Sequence, residues 1–376
     1  MVRRVLILTA SYGSGHNEAA RCIAGEVARR GADPVVIDHF RDLVHPLFDR
    51  ATRAAYLTLL RRLPGVWGLA YALGDRLASD SPLTFGASRL GARRLGALLD
   101  RTAPNAVVTV HATPAVAMAA LARAGRRLPP HTTVVTDFVA HSQWIAPGID
   151  RYCVAADEVG HDLVARGIPR ERVVVTGVPV RPEFASASAP GEVRRALGLP
   201  VDVPVVLAMA GSWGSVGRLP DVARALARVR HPLVGVLVAG HDAGLRATLE
   251  RLAAGSPLRV FGFVPDVHRL MAAADLVVTK AGGMTLAEAM AVQVPLLFYG
   301  SLPGQERRNE RFAAAAGVAL VARRRADLDR VLERALGDPD LLEHLRAPMR
   351  ARRRPAATRA IVDLVLADGA RAGAEH

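Results

Sequence analysis

Short runs of β-branched and aliphatic residues alternate with longer amphipathic stretches along almost the whole chain of 376 residues. In the first half these runs cover residues 5–10, 34–38, 106–111, 132–138, 152–155 and 172–177, and in the second half residues 204–210, 234–239, 258–263, 276–280, 295–299 and 318–322. Near-continuous apolar runs indicate strands buried on both faces, and intervening helices indicate parallel order. The sequence therefore predicts an α/β chain of two doubly wound, Rossmann-like domains facing a cleft.

The predicted boundary between the halves is a segment of small residues and prolines, of which residues 181–204 contain four. We predict an N-terminal domain over residues 1–180, a linker over residues 181–203 and a C-terminal domain over residues 204–354. In this architecture the last helix usually crosses back, so residues 355–376 are expected to pack on the first domain. Two domains also agree with the length of the chain.

Composition narrows the class of protein. The only cysteines, Cys22 and Cys153, lie far apart without metal-ligand spacing, which argues against a disulfide scaffold or a zinc site. No apolar stretch approaches the roughly 20 residues that span a bilayer. The apolar run near the N-terminus is short and leads directly into a glycine-rich turn, as expected for a buried first strand. We therefore expect a cytoplasmic protein.

The formal net charge of +14 indicates an anionic partner: a nucleic acid, a membrane surface or a substrate. No nucleic-acid recognition motif is evident, so we expect no nucleic-acid partner. Residues 41–101 hold ten arginines against five aspartates, with aromatic residues at Phe48, Tyr56, Trp67, Tyr71 and Phe85. Such a basic, aromatic-bearing region is typical of docking onto anionic lipid headgroups. An ordinary helical layer with solvated arginines is the alternative.

The loops after the strands are where ligands of doubly wound sheets bind. The first predicted strand is followed by Gly13-Ser14-Gly15-His16, in which the glycines permit a tight turn before a helix N-terminus. His16 can accept a proton from an acceptor hydroxyl near neutral pH. The alternative is a capping turn with an incidental histidine.

Polar residues also cluster at strand ends in the second half. Gly211 and Ser212 form a turn suited to a diphosphate, although neither the dinucleotide pattern nor the P-loop pattern is present. The later strand ends supply the remaining candidate ligands of a nucleoside diphosphate sugar, namely Lys280, Gly282, Gly283, Thr285, Glu288, Gln305, Glu306 and Asn309. Lys280 is the only lysine among 49 lysine and arginine residues, which hints that an ammonium group is needed there.

Taken in order, these motifs resemble the family-28 glycosyltransferases. The similarity is greatest to plant-type monogalactosyldiacylglycerol synthases and bacterial processive diacylglycerol glucosyltransferases, and it extends more distantly to the N-acetylglucosaminyltransferase that makes lipid II. Further segments that carry it are His111-Ala112-Thr113-Pro114, Thr136-Asp137-Phe138, His141-Ser142-Gln143-Trp144, Gly177-Val178-Pro179-Val180-Arg181 and Pro303-Gly304-Gln305-Glu306.

The resemblance implies a GT-B fold whose N-terminal domain binds the acceptor and whose C-terminal domain binds a UDP-sugar. It implies inverting transfer of a hexose from UDP-glucose or UDP-galactose to diacylglycerol or a similar lipid at the inner membrane face, without a cofactor. Arg181 and Ser212 would contact the diphosphate, and Lys280 would lie near it or hold its loop. The backbone at Phe263 and Val264 would read uracil, Glu288 would bind ribose, and Gln305 and Glu306 would bind the sugar.

His16 would be the catalytic base, with Asp137 and His141 as alternates. The first half contains no Asp-x-Asp motif, so no metal is expected. Where close relatives often carry a longer glycine run, this chain has Ala210-Gly211-Ser212-Trp213, which puts the phosphate contacts there in doubt. A soluble natural-product glycosyltransferase and a UDP-sugar epimerase or hydrolase remain alternatives. The sugar, the acceptor, the number of sugars added and the oligomeric state stay open.

Overall fold

The computed structural model describes residues 2–11, 13–76, 90–186, 189–211 and 218–374. The chain divides into two compact units. The first comprises Met1–Arg181 and Arg354–His376, and the second comprises Pro182–Arg353.

A six-stranded parallel sheet forms the centre of the first unit, in the order β2-β1-β3-β4-β5-β6. Its strands are β1 (Arg4–Thr9), β2 (Asp33–Asp38), β3 (Ala106–Thr109), β4 (His131–Val134), β5 (Arg151–Val154) and β6 (Val173–Val175). The inner strands are buried along their length because helices cover both faces, which explains their apolar sequences.

The helices of the first unit follow the predicted alternation. They are α1 (Ser14–Arg29), a π-helix (His39–Val44), α2 (Pro46–Arg62), α3 (Pro64–Arg76), α4 (Ala92–Thr102), α5 (Ala112–Arg123), α6 (Asp157–Ala165) and the final helix, α16 (Ala357–Ala374), with 3₁₀ turns at Ser142–Trp144 and Arg170–Arg172. Helix α16 packs against α1 and β3 and buries Ile361, Val362 and Val365.

The second unit holds another six-stranded parallel sheet, in the order β12-β11-β10-β7-β8-β9. Its strands are β7 (Val205–Met209), β8 (Val234–Val238), β9 (Leu258–Phe261), β10 (Leu276–Thr279), β11 (Leu296–Tyr299) and β12 (Ala319–Ala322). Its helices are α7 (Pro182–Ala185), α8 (Pro190–Ala196), α9 (Leu219–Leu226), α10 (Ala243–Ala253), α11 (Val267–Ala273), α12 (Gly283–Val292), α13 (Gln305–Ala315), α14 (Arg325–Gly337) and α15 (Pro339–Arg352). The prediction of two doubly wound α/β halves is confirmed.

The segment predicted as a linker contains two helices and lies within the second unit. Arg194 of α8 is buried, and its guanidinium donates to the Ala273 carbonyl at 2.8 Å and to the Asp275 carboxylate at 2.6 Å. The same Asp275 oxygen accepts from the backbone N–H of Val205 at the start of β7. A buried arginine with these partners anchors α8 to the sheet, although the proline content of the segment suggested a free connection.

Each sheet reverses its direction of growth once. In the first unit the reversal separates β1 from its neighbour β3, and in the second it separates β7 from β10. At such a point the loops after the two strands diverge to opposite faces and leave a crevice at the carboxyl edge. Candidate ligand-binding residues are therefore expected in the loops after β1 and β3, and after β7 and β10.

We predict that Arg194→Ala destabilises the second unit, because it leaves the Asp275 carboxylate without its closest cationic partner. Loss of one member of a fully buried ion pair typically costs about 3–5 kcal/mol. The Asp275 side chain is 28% exposed and also lies 3.9 Å from Arg346, so we expect a smaller loss. Arg195→Ala is the matched control, since Arg195 is exposed on the same helix. The midpoint of urea unfolding should fall clearly for Arg194→Ala and stay near wild type for Arg195→Ala. Equal midpoints for the two variants would contradict this role for Arg194.

Candidate active site

In the first unit, the loop between β1 and α1 brings His16 to the crevice between β1 and β3. The Asn17 side chain ties the first turn of α1 to the end of β1, through bonds of 2.9 Å with Ser11 Oγ and with Thr9 Oγ1. This tether places the His16 ring beside the end of β3. There its Nδ1 lies 2.7 Å from the Val110 carbonyl oxygen.

The contact with the Val110 carbonyl shows which nitrogen of His16 carries the hydrogen. A carbonyl oxygen only accepts, so Nδ1 carries the hydrogen, and Nε2 retains the lone pair in the neutral ring. The Thr136 hydroxyl, 3.1 Å from Nδ1, is a further contact on the same side. Both contacts orient the ring and leave Nε2 as the nitrogen that can accept a proton.

Burial lowers the pKa of His16, and this effect outweighs the charge of Asp137 and the hydrogen bond to Val110, which raise it. The imidazole is therefore mainly neutral at pH 7, as a general base must be. Asp137 itself is half-buried and close enough for its charge to act on His16.

A second neutral histidine lies against His16. The ring of His111 meets that of His16 edge to face, with centroids 4.7 Å apart. His111 Nδ1 accepts from the Thr113 backbone N–H at the start of α5, so the hydrogen of this ring is on Nε2. Burial holds the pKa of His111 well below its usual range, and the nearby His16 and His39 lower it further. The pair thus forms an uncharged imidazole cluster at the end of β3.

His141, the alternate base, contacts backbone groups of the first unit through both ring nitrogens. Its Nδ1 accepts from the Gln143 backbone N–H at 3.1 Å, and its Nε2 lies 3.2 Å from the Tyr71 carbonyl. The ring is buried and packs on that of Tyr71, with centroids 4.3 Å apart. Since both nitrogens hold backbone groups in place, the geometry favours His16 over His141 as the base.

The other predicted residues of the first unit surround the N-terminus of α1. Gly13 precedes α1 in an extended conformation, and a Cβ there would meet no atom of the described residues within 4 Å. Gly15 is half-buried in the first turn. Arg181 Nε lies 3.3 Å from a Glu18 carboxylate oxygen, so this arginine is held against α1. Whether it reaches a diphosphate stays a prediction.

In the second unit, Lys280 leaves the end of β10 and donates to Glu306 Oε1. The other oxygen of Glu306 accepts from the Leu302 backbone N–H at 2.9 Å. Glu306 is only 7% exposed. Both carboxylate oxygens are therefore occupied within the unit, and Glu306 fixes Lys280 and the loop before α13.

Asn309 has a similar role on the next turn of α13. It is fully buried, and its amide donates to the Ala281 carbonyl at 3.1 Å. The Ala281 N–H donates to Ser301 Oγ at 3.3 Å. Ala281 immediately precedes the Gly282-Gly283 turn, so Asn309 and Ser301 hold that turn in place.

Three predicted ligands lie half-buried at the carboxyl edge of the sheet: Thr285, Glu288 and Gln305. Thr285 and Glu288 belong to α12, and Gln305 begins α13. Helix α13 follows Gly304, whose φ of 101° favours glycine. In the described ranges of the chain no side chain caps the N-terminus of α12, so its first N–H groups can meet an anion.

An aromatic stack follows β8 and β9. Phe263 is 51% exposed, and its ring lies parallel to that of His241, with centroids 4.2 Å apart. Val264, predicted with Phe263 to read uracil, is half-buried beside it. His241 was not predicted from the sequence, where a single histidine after a strand gave no signal.

A pocket at the point of strand reversal contains another residue that the sequence did not reveal. Its lining residues are Met209, Ala210, Arg218, Leu219, Val222, Val278, Thr279, Lys280 and Tyr299. Arg218 and Lys280 bring two cationic side chains to this pocket. Gly211 lies beside it with a φ of 78°, and a Cβ added there would be 3.5 Å from Lys280 Cε. Ser212, predicted to contact the diphosphate, lies outside the described residues.

Across the described ranges, no three His, Cys, Asp or Glu side chains are grouped so that they could hold a metal ion. Independence of a metal stays a prediction.

The chain matches two protein-family models. Residues 16–180 match the model described as monogalactosyldiacylglycerol (MGDG) synthase, and residues 225–353 match the glycosyltransferase family 28 C-terminal domain.

Curated relatives cover nearly the whole chain. The processive diacylglycerol beta-glucosyltransferase of Bacillus subtilis (strain 168) is 30% identical over 346 residues, which are 92% of this chain and 90% of the relative. The protein of the same name from Bacillus mycoides (strain KBAB4) is 31% identical, over 97% of this chain and 94% of the relative.

Among solved structures, Acinetobacter baumannii MurG superposes with a TM-score of 0.66 at 17% identity, covering 97% of this chain and 99% of that one. This similarity shows the fold, which is the predicted GT-B type. The resemblance predicted from the motifs is confirmed by the relatives and the family models. The chain is an enzyme that belongs to the family-28 glycosyltransferases, of the monogalactosyldiacylglycerol synthase and processive diacylglycerol glucosyltransferase type.

Proposed function

We propose that this glycosyltransferase transfers a hexose, glucose or galactose, from its UDP-sugar to diacylglycerol or a similar lipid, with inversion at the anomeric carbon and without a metal ion. Relatives named diacylglycerol glucosyltransferases, which match over nine-tenths of the chain, support the acceptor and favour glucose. The observation that carries the chemistry is the neutral His16 ring, with its hydrogen assigned to Nδ1 by the Val110 carbonyl.

In the proposed reaction, His16 Nε2 takes the proton of the acceptor hydroxyl. The hydroxyl oxygen attacks the anomeric carbon on the face opposite the diphosphate and forms the new C–O bond. The bond from that carbon to the diphosphate breaks, and its electron pair leaves with UDP. The imidazolium that forms is stabilised by the charge of Asp137, which already raises the pKa of His16.

The second unit supports the use of a UDP-sugar donor. Glu288, Thr285 and Gln305 carry oxygen and amide groups suited to ribose, phosphate and sugar hydroxyls at one edge of the sheet. Because Glu306 and Asn309 are bound within the unit, we assign them to holding the Lys280 and Gly282-Gly283 segments. This differs from the direct sugar contact that the resemblance implied for Glu306.

A surface of the first unit supports a lipid acceptor. Helix α3 buries none of its residues, and Val66, Leu69 and Leu73, spaced three and four residues apart, are each at least half exposed. Leu63, just before the helix, extends this surface at 55% exposure. We call these four residues the α3 apolar face. Such a face within an arginine-rich region fits a helix lying in a membrane interface.

The α3 apolar face suggests a mode of membrane binding that differs from the electrostatic docking expected for residues 41–101. Several arginines there already have partners: Arg41 pairs with Asp42, Arg53 with the buried Asp49, and Arg94 with the Val44 carbonyl. Apolar insertion is therefore proposed as the main contribution to peripheral binding at the inner membrane face. No helix in the described ranges is both long and apolar enough to cross a membrane.

The proposed activity is tested by incubating the purified chain with diacylglycerol vesicles and a panel of UDP-sugars, and by measuring products by mass. We expect a hexosyl-diacylglycerol with the anomeric configuration opposite to that of the donor, and turnover unchanged by EDTA. Release of UDP without a glycoside would support a hydrolase or epimerase instead. Glycosylation of soluble alcohols alone would support a natural-product glycosyltransferase.

The pH dependence of kcat/KM should identify His16 as the base. Activity requires the neutral ring, so it should fall as the pH drops through the His16 pKa, which burial places below its ordinary value. The Asp137 charge raises this pKa, so Asp137→Asn should move the acidic limb to lower pH.

His16→Ala should lower kcat by about 10²-fold or more, the usual scale for a positioned base. Turnover by His16→Ala equal to that of wild type would show that His16 is not the base.

The α3 apolar face should control membrane binding. Leu69→Asp with Leu73→Asp should weaken partitioning into vesicles by at least about tenfold, since each leucine contributes about 1.5 kcal/mol or more on burial. Val201→Asp is the control, because Val201 is equally exposed in the second unit. Sedimentation with vesicles at low and high salt measures the effect. Binding by the double variant equal to that of the control would refute apolar insertion, and binding lost only at high salt would favour the arginines.

A further inference from the structure

We infer that Arg218 is the residue that neutralises the donor diphosphate and stabilises the negative charge that develops on the departing UDP. This inference rests on the proposed use of a UDP-sugar and adds a binding residue to the same site. Lys280, Arg181 and Ser212 were the residues that the sequence suggested for this role.

The position of Arg218 is set by the topology of the second sheet. Its pocket lies at the carboxyl ends of β7, β10 and β11, so it includes the point where the sheet reverses. Ligands of doubly wound sheets bind at this point. Residues after β7 and after β10 both contribute to the lining, through Arg218 and Lys280.

The two cations in the pocket differ in their partners. Lys280 is paired with the buried carboxylate of Glu306, so that pair is close to neutral overall. Among the residues that the structure describes, no carboxylate forms an ion pair with Arg218. Its nearest acidic neighbour along the chain, Asp221, pairs with Arg224 at 3.3 Å and accepts from the Tyr299 hydroxyl at 3.1 Å. Arg218 therefore brings a net positive charge to the pocket.

Arg218 is exposed at the mouth of the pocket, and Tyr299 and Gly300 lie against it. The guanidinium carbon lies 5.7 Å from the centroid of the Tyr299 ring, within range of a cation–π interaction. The Tyr299 hydroxyl is fixed by its bond to Asp221, and burial raises the pKa of Tyr299, so the phenol keeps its hydrogen. Gly300, with a φ of 80°, lies against Arg218, since a Cβ there would come within 3.6 Å of the Arg218 backbone nitrogen.

A guanidinium at this position matches a diphosphate. Its planar N–H groups can form two parallel hydrogen bonds to phosphate oxygens, which a lysine ammonium cannot reproduce. When the bond between the anomeric carbon and the diphosphate breaks, the electron pair remains on a phosphate oxygen. A cation near that oxygen stabilises the developing charge.

The test measures binding of UDP and uridine by calorimetry and by competition for Arg218→Gln, Arg218→Lys and wild type. Arg218→Gln should weaken UDP binding about 10- to 100-fold, the scale for a hydrogen bond to a charged group, and leave uridine binding unchanged. Arg218→Lys should fall between Arg218→Gln and wild type. Arg251→Gln, which removes an exposed charge from α10, is the matched control and should bind UDP like wild type.

The outcomes separate this inference from the proposed function. If wild type binds no UDP, the UDP-sugar proposal fails, and the inference fails with it. If wild type binds UDP and Arg218→Gln binds it equally well, only the inference is overturned. Equal weakening of UDP and uridine would show a structural effect and would also overturn it. If Arg218→Gln does not fold, Arg218→Lys tests the inference. An unchanged ratio of UDP affinity to uridine affinity in that variant would contradict recognition of the diphosphate by two parallel hydrogen bonds.

Discussion

The reversal of strand order within each sheet is the constraint on which both candidate sites depend. Parallel strands end at the same edge, but only at the reversal do adjacent strands send their following loops to opposite faces. In the first unit this places the turn before α1 next to the residue after β3, so that the His16 ring reaches the Val110 carbonyl. In the second unit it places the residues after β7 next to Lys280. Neither pair is close in sequence.

Polar residues that follow the strands divide into buried ones, which hold the backbone, and half-buried ones. Glu306, Asn309 and His141 are buried, and each uses its polar atoms on backbone groups or on a neighbouring cation. A buried polar atom without a partner would cost roughly 1–3 kcal/mol, so such residues are found where the backbone needs a partner. Gln305 and Thr285 are half-buried and belong to the other group. The same residue types in one motif therefore serve different purposes.

Much of the architecture could be predicted from the sequence because parallel strands buried on both faces leave a strong pattern. All twelve strands were predicted, although the predicted ends of β3, β4, β6 and β9 lie two or more residues too far along the chain. The N–H of Val135 still donates to the Cys153 carbonyl at 2.9 Å, but the chain then leaves the sheet and brings Thr136 and Asp137 to His16. Val135, Thr136 and Phe138 are all buried, and a sequence pattern cannot tell a buried loop at a strand end from the strand itself.

The linker prediction differed from the structure for a related reason. Proline content indicates where helices cannot continue, but it does not report burial. Arg194, which anchors the segment, is one of many arginines in an arginine-rich chain and had no distinguishing signal. The sequence analysis also missed Arg218 and His241. Only the ring contacts with Tyr299 and Phe263, which the sheet order makes possible, distinguish these two residues from other arginines and histidines.

The excess of arginine also has a physical consequence for how the net charge should be interpreted. Many of the arginines are exposed and paired with a nearby aspartate or glutamate on the same helix, as Arg29 is with Glu26 and Arg330 is with Asp327. Such exposed pairs contribute little to stability and produce little field at a distance. The net charge of +14 is the excess that remains after all acidic residues are counted, and it does not say which arginines lie at a ligand site. An arginine that forms no ion pair with a described carboxylate, and that lies over an aromatic ring at a strand reversal, is a much more specific signal.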